Sequence, residues 1–476
     1  MRFVVPMIAA CVALAGCAAP PQNECDYEPP LHPSCPATVT LQAETTAPAA
    51  KEDFSEAKDV DFFVSLALQR NPEALAAQRA AFARAEVLPQ VTALDDPMLT
   101  ETFWPITEHS PQTASGRMPS ALMLSQKFPW FGKLRVRGEV AEEETQMELA
   151  RFAQAQLKVI ENVRLAYYEL YYTQRAIEIT QADDKVLDEI LQFVDARYKA
   201  AKVPQQDLLR TRIEKRKVQD RLITLRRQLR QAQADLAREI QTSPDAELKV
   251  KPFKLEKAPT EIDQLFEAAI RCRPELQERL HAVVKERRAY ELARLKYYPD
   301  VTAGVGWDVM TRSGALSGVA DGNDNWGFTV GVNIPLWRDK LRAGVAEAEH
   351  RIAESSRRVE STRDDTFRHI RRLTVQATAI EQQIELFRKG IIPDAESTLK
   401  LLFARYRSGQ ADVQDLLDNY SRLLTYHLQV ARLEAQLGQT LASLERVVGC
   451  DVEGTAGKES KVQSRESRAG TVDSQQ

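Results

Sequence analysis

Apolar positions recur at helical spacing through most of residues 61–450 and at alternating spacing through a few short stretches. Val159, Val163, Ala166 and Leu170 mark a narrow stripe on an otherwise polar segment covering about 131–199. A stripe this narrow suits lateral helix packing in a hollow wall or a coiled coil, not a thick globular core. A second long polar helix is predicted over about 338–408, with Pro393 expected to kink it. Shorter helices are predicted over about 61–88, 204–241, 262–297 and 411–449. Period two appears where Trp326, Phe328, Val330, Val332 and Ile334 alternate with Gly327, Thr329, Gly331 and Asn333. Val301, Ala303, Val305, Trp307 and Val309 alternate with small or polar residues in the same way. Leu122, Leu124 and Phe128 give a weaker version, and a partner strand is expected near 90–104, interrupted by Asp95-Asp96-Pro97. The stretches 105–118 and 312–324 are rich in Ser, Gly, Thr and Asn and read as exposed loops.

These elements occur twice in one order. Ala196-Arg-Tyr-Lys199 recurs as Ala404-Arg-Tyr-Arg407, and Gln206-Asp-Leu-Leu209 as Gln414-Asp-Leu-Leu417. Phe128-Pro-Trp130 matches Ile334-Pro-Leu336, Lys133-Leu-Arg135 matches Lys340-Leu-Arg342, and Asn71-Pro-Glu73 matches Arg273-Pro-Glu275. Ordered self-similarity at this spacing marks tandem structural units, 61–245 and 246–450, each a helix, two strands, a long helix and a last helix. At about 1.5 Å per residue the helix over 131–199 spans roughly 100 Å. Pairing 204–241 with 262–297, and 411–449 with 61–88, gives composite rods of roughly 100–110 Å. One chain then supplies four rods of similar length, two continuous and two broken.

The chain begins with Arg2, an apolar stretch Phe3–Leu14, and Leu14-Ala-Gly-Cys17, the order of a signal peptide over 1–16. Residues 17–60 are rich in Pro, Ala and Thr and read as a tether, and 451–476 as a polar disordered tail. Cys25 and Cys35 are close enough in sequence to close a small loop, or with His32 to offer three metal ligands at an unusual spacing. Whether Cys272 and Cys450 pair is open at this stage. Beyond the N-terminus no apolar run reaches the roughly 18 residues of a membrane-spanning helix, so a membrane crossing would have to use strands. Four strands cannot close a membrane barrel, and lipid tolerates no open sheet edge, so other copies must complete it. Cyclic symmetry permits 8, 12 or 16 strands.

Composition narrows the function. Lys+Arg 64 against Asp+Glu 68 gives a net charge of −4, which speaks against nucleic acid as partner. No His-Glu-x-x-His, phosphate loop or Gly-x-Ser-x-Gly is present, so neither catalytic residues, a cofactor nor a bound metal is expected. A structural coiled-coil lipoprotein remains the rival class. A pump adaptor would need one helical hairpin flanked by compact β domains, and this chain has two hairpins.

The repeated order resembles the TolC-like outer-membrane efflux protein family. The residues carrying it are Cys17 in its lipobox-like setting, the strand exits Gln126–Arg135 and Ile334–Arg342, and the paired tips Ala196–Leu209 and Ala404–Leu417. The resemblance implies a mainly α fold with a small β part. It implies lipidation at Cys17, a bacterial outer-membrane location with contact to its lipid, and a homotrimer. Long antiparallel helices would form an α-barrel tunnel through the periplasm, and four strands per chain a shared 12-stranded barrel. It further implies an exit duct of a tripartite efflux complex, docking a periplasmic adaptor and an inner-membrane RND-type pump. Carried over residue by residue, Tyr406 would help hold the tunnel shut, and Asp415 and Asp418 would ring the constriction. Asp415 has a second reading as a helix cap, for which Asp412 competes. Arg197, Tyr198, Arg405 and Gly409 become candidates for adaptor docking, or for packing the turns. Ala411 occupies the place of a gate-locking arginine, and Asp207, in the same context as Asp415, is expected on an outer helix. Phe128-Pro-Trp-Phe-Gly-Lys133 is similar to the metal-exporting branch; drug or organic-solute efflux and type I secretion are the alternative cargoes.

Overall fold

The computed structural model describes residues 54, 56–316 and 318–450, all within one of the chain's two units, Val39–Gln476. The signal peptide, Cys17, the Cys25–Cys35 pair, nearly all of the tether and the tail lie outside the described residues.

Unit 61–245 opens with α1 (Val60–Arg70), α2 (Pro72–Ala85) and α3 (Val87–Thr92). The single helix expected over 61–88 is split at Asn71-Pro72. A proline drives its predecessor out of the helical region, and Asn71 takes φ −66° and ψ 121°. The Asn71 side chain then caps α2 by accepting from the Glu73 amide at 2.9 Å. Residues 90–92, at the start of the stretch expected to be extended, belong to helix α3, and β1 starts only at Met98 and runs to Phe103. A short β2 (Gln112–Thr113) and a long β3 (Gly116–Phe128) follow. Next come α4 (Lys133–Lys199), 67 residues without interruption, and α5 (Gln205–Glu239). Unit 246–450 repeats the order with α6 (Ile262–Cys272), α7 (Pro274–Leu295), β4 (Val301–Thr311) and β5 (Asn325–Val332). Arg273-Pro274 splits its first helix as Asn71-Pro72 splits the other, with Arg273 at φ −69° and ψ 117°.

The second long helix is α8 (Arg338–Leu386) running into α9 (Ile392–Arg407) through a π turn at Phe387–Ile391. Pro393 has no amide hydrogen to give the preceding turn, and the widened turn sits directly before it, where the kink is expected. The last helix is α10 (Val413–Val448).

The rods lie side by side. The half of α4 near the strands packs between α1–α2 and α7, and the half near the tips between α5 and α10. Arg151–Glu278 at 2.9 Å and His281–Glu143 at 2.8 Å tie α4 to α7. Arg432–Glu169 at 2.6 Å and Arg446–Glu161 at 2.7 Å tie α10 to α4. On its other side α10 meets α8.

This order corrects the pairing of the broken rods. The end of α5 meets the α1–α2 junction: Phe63 and Ala74 share a core with Leu236 and Ile240, and Asn71 Nδ2 donates to the Glu239 carbonyl at 3.4 Å. The end of α10 meets the α6–α7 junction: Leu265 and Ala268 pack with Leu444 and Val448, and Arg273 donates to the Val447 carbonyl at 3.2 Å. Each broken rod is thus built within one repeat. Length could not decide this, because both pairings sum to similar totals. Cys272 carries a free thiol, so it forms no disulfide with Cys450.

The sheet runs β1-β3-β4-β5, wholly antiparallel, with β2 beside β3. Its register aligns Leu99, Leu124, Val305 and Phe328 in one row, and Leu122, Trp307 and Trp326 in the next. The opposite face carries Ser125, Gly304 and Thr329, then Met123, Gly306 and Gly327. The predicted split into an apolar and a small-polar face is present, with Glu101, Ser120 and Gln126 interrupting the apolar side.

Candidate functional site at the hairpin tips

At the end of α4, the Lys202 amide donates to the Arg197 carbonyl at 2.9 Å, around Ala201 at φ 55°. At the end of α9, the Gln410 amide donates to the Arg405 carbonyl at 2.8 Å, around Gly409 at φ 78°. Both turns close a helix with the same bond across six residues and a left-handed residue inside it. The tips match in backbone as they do in sequence, 208 positions apart.

Tyr406 is only 2% exposed. Arg197 clamps it: the guanidinium sits 5.2 Å from the ring centre and donates through Nη1 to the Tyr406 carbonyl at 2.5 Å. Phe193 packs against Tyr406 and Phe403, with Arg407 capping Phe403 at 4.9 Å. Beneath lie Leu187, Val194, Leu416, Leu417 and Tyr420. The Tyr406 hydroxyl is buried without a hydrogen-bond partner among the described residues. Burial pushes its pKa up, and the charge of Asp207 adds to that.

Asp412 is the cap of α10, accepting from the Gln414 amide at 3.3 Å, so Asp415 is left without that task. Asp415 and Asp418 are exposed, about one turn apart, and neither forms an ion pair among the described residues. Val413, Leu416 and Leu417 carry the packing of the same turn, so these two carboxylates face away from it. Tyr198, Arg405 and Gly409 are exposed at the extreme end, whereas Arg197 is half-buried by its clamp.

Asp207 lies near the start of α5 and turns toward the neighbouring tip. It is buried, in a cleft with Arg197, Arg210, Tyr406 and Asp412. Burial raises its pKa and the Asp412 charge raises it further. Asp207 and Asp415 occupy equivalent repeat positions, yet only Asp207 faces the partner turn. No single-sequence signal separates them, because the difference arises from which neighbour each helix meets.

A model of the outer membrane efflux protein family matches residues 64–240 and 265–450, covering both repeats. Among solved structures the chain is similar to CusC at 17% identity, covering 83% of this chain and 93% of that one, with a TM-score of 0.70. It is similar to VceC of Vibrio cholerae at 20% identity, covering 82% and 96%, with a TM-score of 0.68. It is also similar to the open state of the MtrE channel of Neisseria gonorrhoeae, at 17% identity, 82% and 89% coverage and a TM-score of 0.65. Likeness at these identities speaks for the fold. No curated protein sequence matches the chain.

Proposed function

The chain belongs to the outer membrane efflux protein family, and from that premise we propose that three lipid-anchored copies form the exit duct for a periplasmic adaptor and an RND-type pump. Members of this family are channels, not enzymes, and the chain is an outer-membrane efflux channel.

The observation that carries the assembly is that every layer of the chain stops at the same two flanks. Among the described residues β1 pairs only with β3, and β5 only with β4, leaving two open edges. The helical layer stops at α5 on one side and α8–α9 on the other. These flanks expose Leu209, Ile213 and Ile223, and Val375, Leu386 and Leu401. An open strand edge is intolerable in lipid, and exposed apolar stripes on rods seek partners. Four barrel strands per chain, taken three times, give a closed set of 12.

In such a ring Asp415 and Asp418 recur by symmetry at the far end of α10. Carboxylates at close range favour cations and repel anions. The strand exit Phe128-Pro-Trp-Phe-Gly-Lys133 supports metal ions over organic solutes as cargo. Cys17 would supply the lipid, and exposed Tyr198, Arg405 and Gly409 would meet the adaptor.

The test is the native mass of the detergent-extracted outer-membrane protein, with lipid adducts resolved. A trimer with three acyl anchors is expected; a monomer would overturn the reading. In planar bilayers, Asp415→Asn and Asp418→Asn should lower cation preference without lowering the trimer yield. Unchanged selectivity in both would remove these residues from the aperture.

A further inference from the structure

We propose that Lys340 of one protomer pairs with Asp96 of the next, fastening each subunit boundary at the base of the strands. The inference rests on the closed ring described above.

Its template lies within the chain, at the seam between the two repeats. Lys133, the first residue of α4, is 6% exposed. Its Nζ donates to Asp300 Oδ1 at 2.6 Å and to the Tyr298 carbonyl at 2.9 Å. Asp300 also accepts from the Trp130 amide at 3.0 Å and faces Lys127 at 3.5 Å. Trp130 stacks on Tyr298 with ring centres 5.5 Å apart. The strand exit of one repeat thereby grips the strand entry of the other, where β3 meets β4.

The internal repeat carries this arrangement to the open edge. Lys340 is the equivalent of Lys133, as the first residues of Lys-Leu-Arg in each unit. The acid's equivalent follows from strand register. Met98 pairs with Ser125 in one repeat, and Thr302 with Gly331 in the other. Aligning Phe128 with Ile334 puts Ser125 on Gly331, hence Met98 on Thr302 and Asp96 on Asp300. Lys340 follows β5, an edge strand, so the strand entry it should grip is β1 of another copy. Both residues are exposed, and neither makes an ion pair among the described residues, in contrast to the Lys133–Asp300 pair, in which the lysine is buried and the aspartate half-buried. Lys340 borders the cavity that holds Lys133 and Asp300, but that carboxylate already faces two lysines. Leu336 beside Lys340 is likewise exposed, where its counterpart Trp130 is half-buried against Tyr298 in a formed seam.

The experiment uses the full-length protein in mild detergent, assembled from isotopically labelled and unlabelled chains. A carbodiimide activates a carboxyl, the lysine amine displaces it as a urea, and a zero-length amide forms. Mass spectrometry should find Lys340 joined to Asp96 across labelled and unlabelled chains, and Asp96→Asn should abolish that product. Lys340→Glu and Asp96→Lys should each lower the trimer fraction surviving heat about tenfold, and the double exchange should restore it. Lys340→Arg should assemble normally, and helicity by circular dichroism identifies any variant that fails to fold; Lys340→Gln then replaces it. A Lys340–Asp300 product, or single variants as robust as the parent trimer, would overturn the pair while leaving the ring intact. A parent protein that is not oligomeric would overturn both.

Discussion

Ala201 and Gly409 occupy the same left-handed position in two copies of one turn, and only one of them is a glycine. An L side chain held there costs roughly 1 kcal/mol. Ala201→Gly should therefore raise stability by about that amount, and Gly409→Ala should lower it similarly, as read by thermal unfolding in detergent. Asp183 stores a second local cost. Burial pushes its carboxyl up to about 6, and Oδ2 has no partner among the described residues, since Tyr420 donates instead to the Asp183 carbonyl oxygen at 2.8 Å. The folded state then holds a proton that the unfolded chain, titrating near 4, has released. Between about pH 4 and pH 6 stability accordingly falls as pH rises, and the cost stays in full above that window. Asp183→Asn should gain about 1 kcal/mol at pH 7.5, after discounting for partial exposure, and nothing at pH 4. A gain that does not depend on pH would refute the assignment. The Arg197–Tyr406 clamp shows the limit of reading at this scale. Its aromatic and basic residues were visible as a repeated motif, but the direction in which Arg197 reaches, into the opposite turn, was not.

Helices in this chain approach most closely where a side chain is missing. A Cβ on Gly438 of α10 would stand 2.7 Å from the ring of Tyr168 on α4. That ring is itself held edge-on by Phe253 at 4.7 Å, so it has little room to yield. Gly438→Ala should cost about 1–3 kcal/mol by overpacking, despite the better helix propensity of alanine. A neutral or stabilised variant would show that the two rods slide freely. Element identity was legible because narrow stripes and alternation persist over many residues, as in Val159–Leu170 and Trp326–Val332. Boundaries failed where one proline outweighs a periodic pattern, at Pro72 and Pro274, and where 90–92 continued as helix before Asp95-Asp96-Pro97. The rod pairing failed for a different reason. Stacking of α5 on α2 and of α10 on α7 is decided by junction contacts of Glu239 and Val447, which no periodicity encodes.

At the scale of the whole molecule, two faces of one sheet must meet two solvents, and the register says which residue meets which. Phe328 lies in the apolar row with Val305, Leu124 and Leu99, and is 86% exposed in the single chain. An exposure this large on a bulky apolar residue is costly in water but suits lipid. Thr329, the next residue, shares its row with Gly304, Ser125 and Met98 on the opposite face. Arginine on the lipid face of a barrel costs about 2–4 kcal/mol per chain near the bilayer midplane, and a threefold ring would incur it three times. Phe328→Arg should therefore abolish assembled channel in the outer membrane. Thr329→Arg changes the same charge on the same strand one position away, yet should assemble and alter conductance instead, because its side chain enters the lumen. Comparing membrane-extracted trimer yields separates the two faces without any need to know the cargo. Equal yields would mean that the sheet does not divide lipid from water, and the barrel would have to be abandoned even if the helical rods still associate.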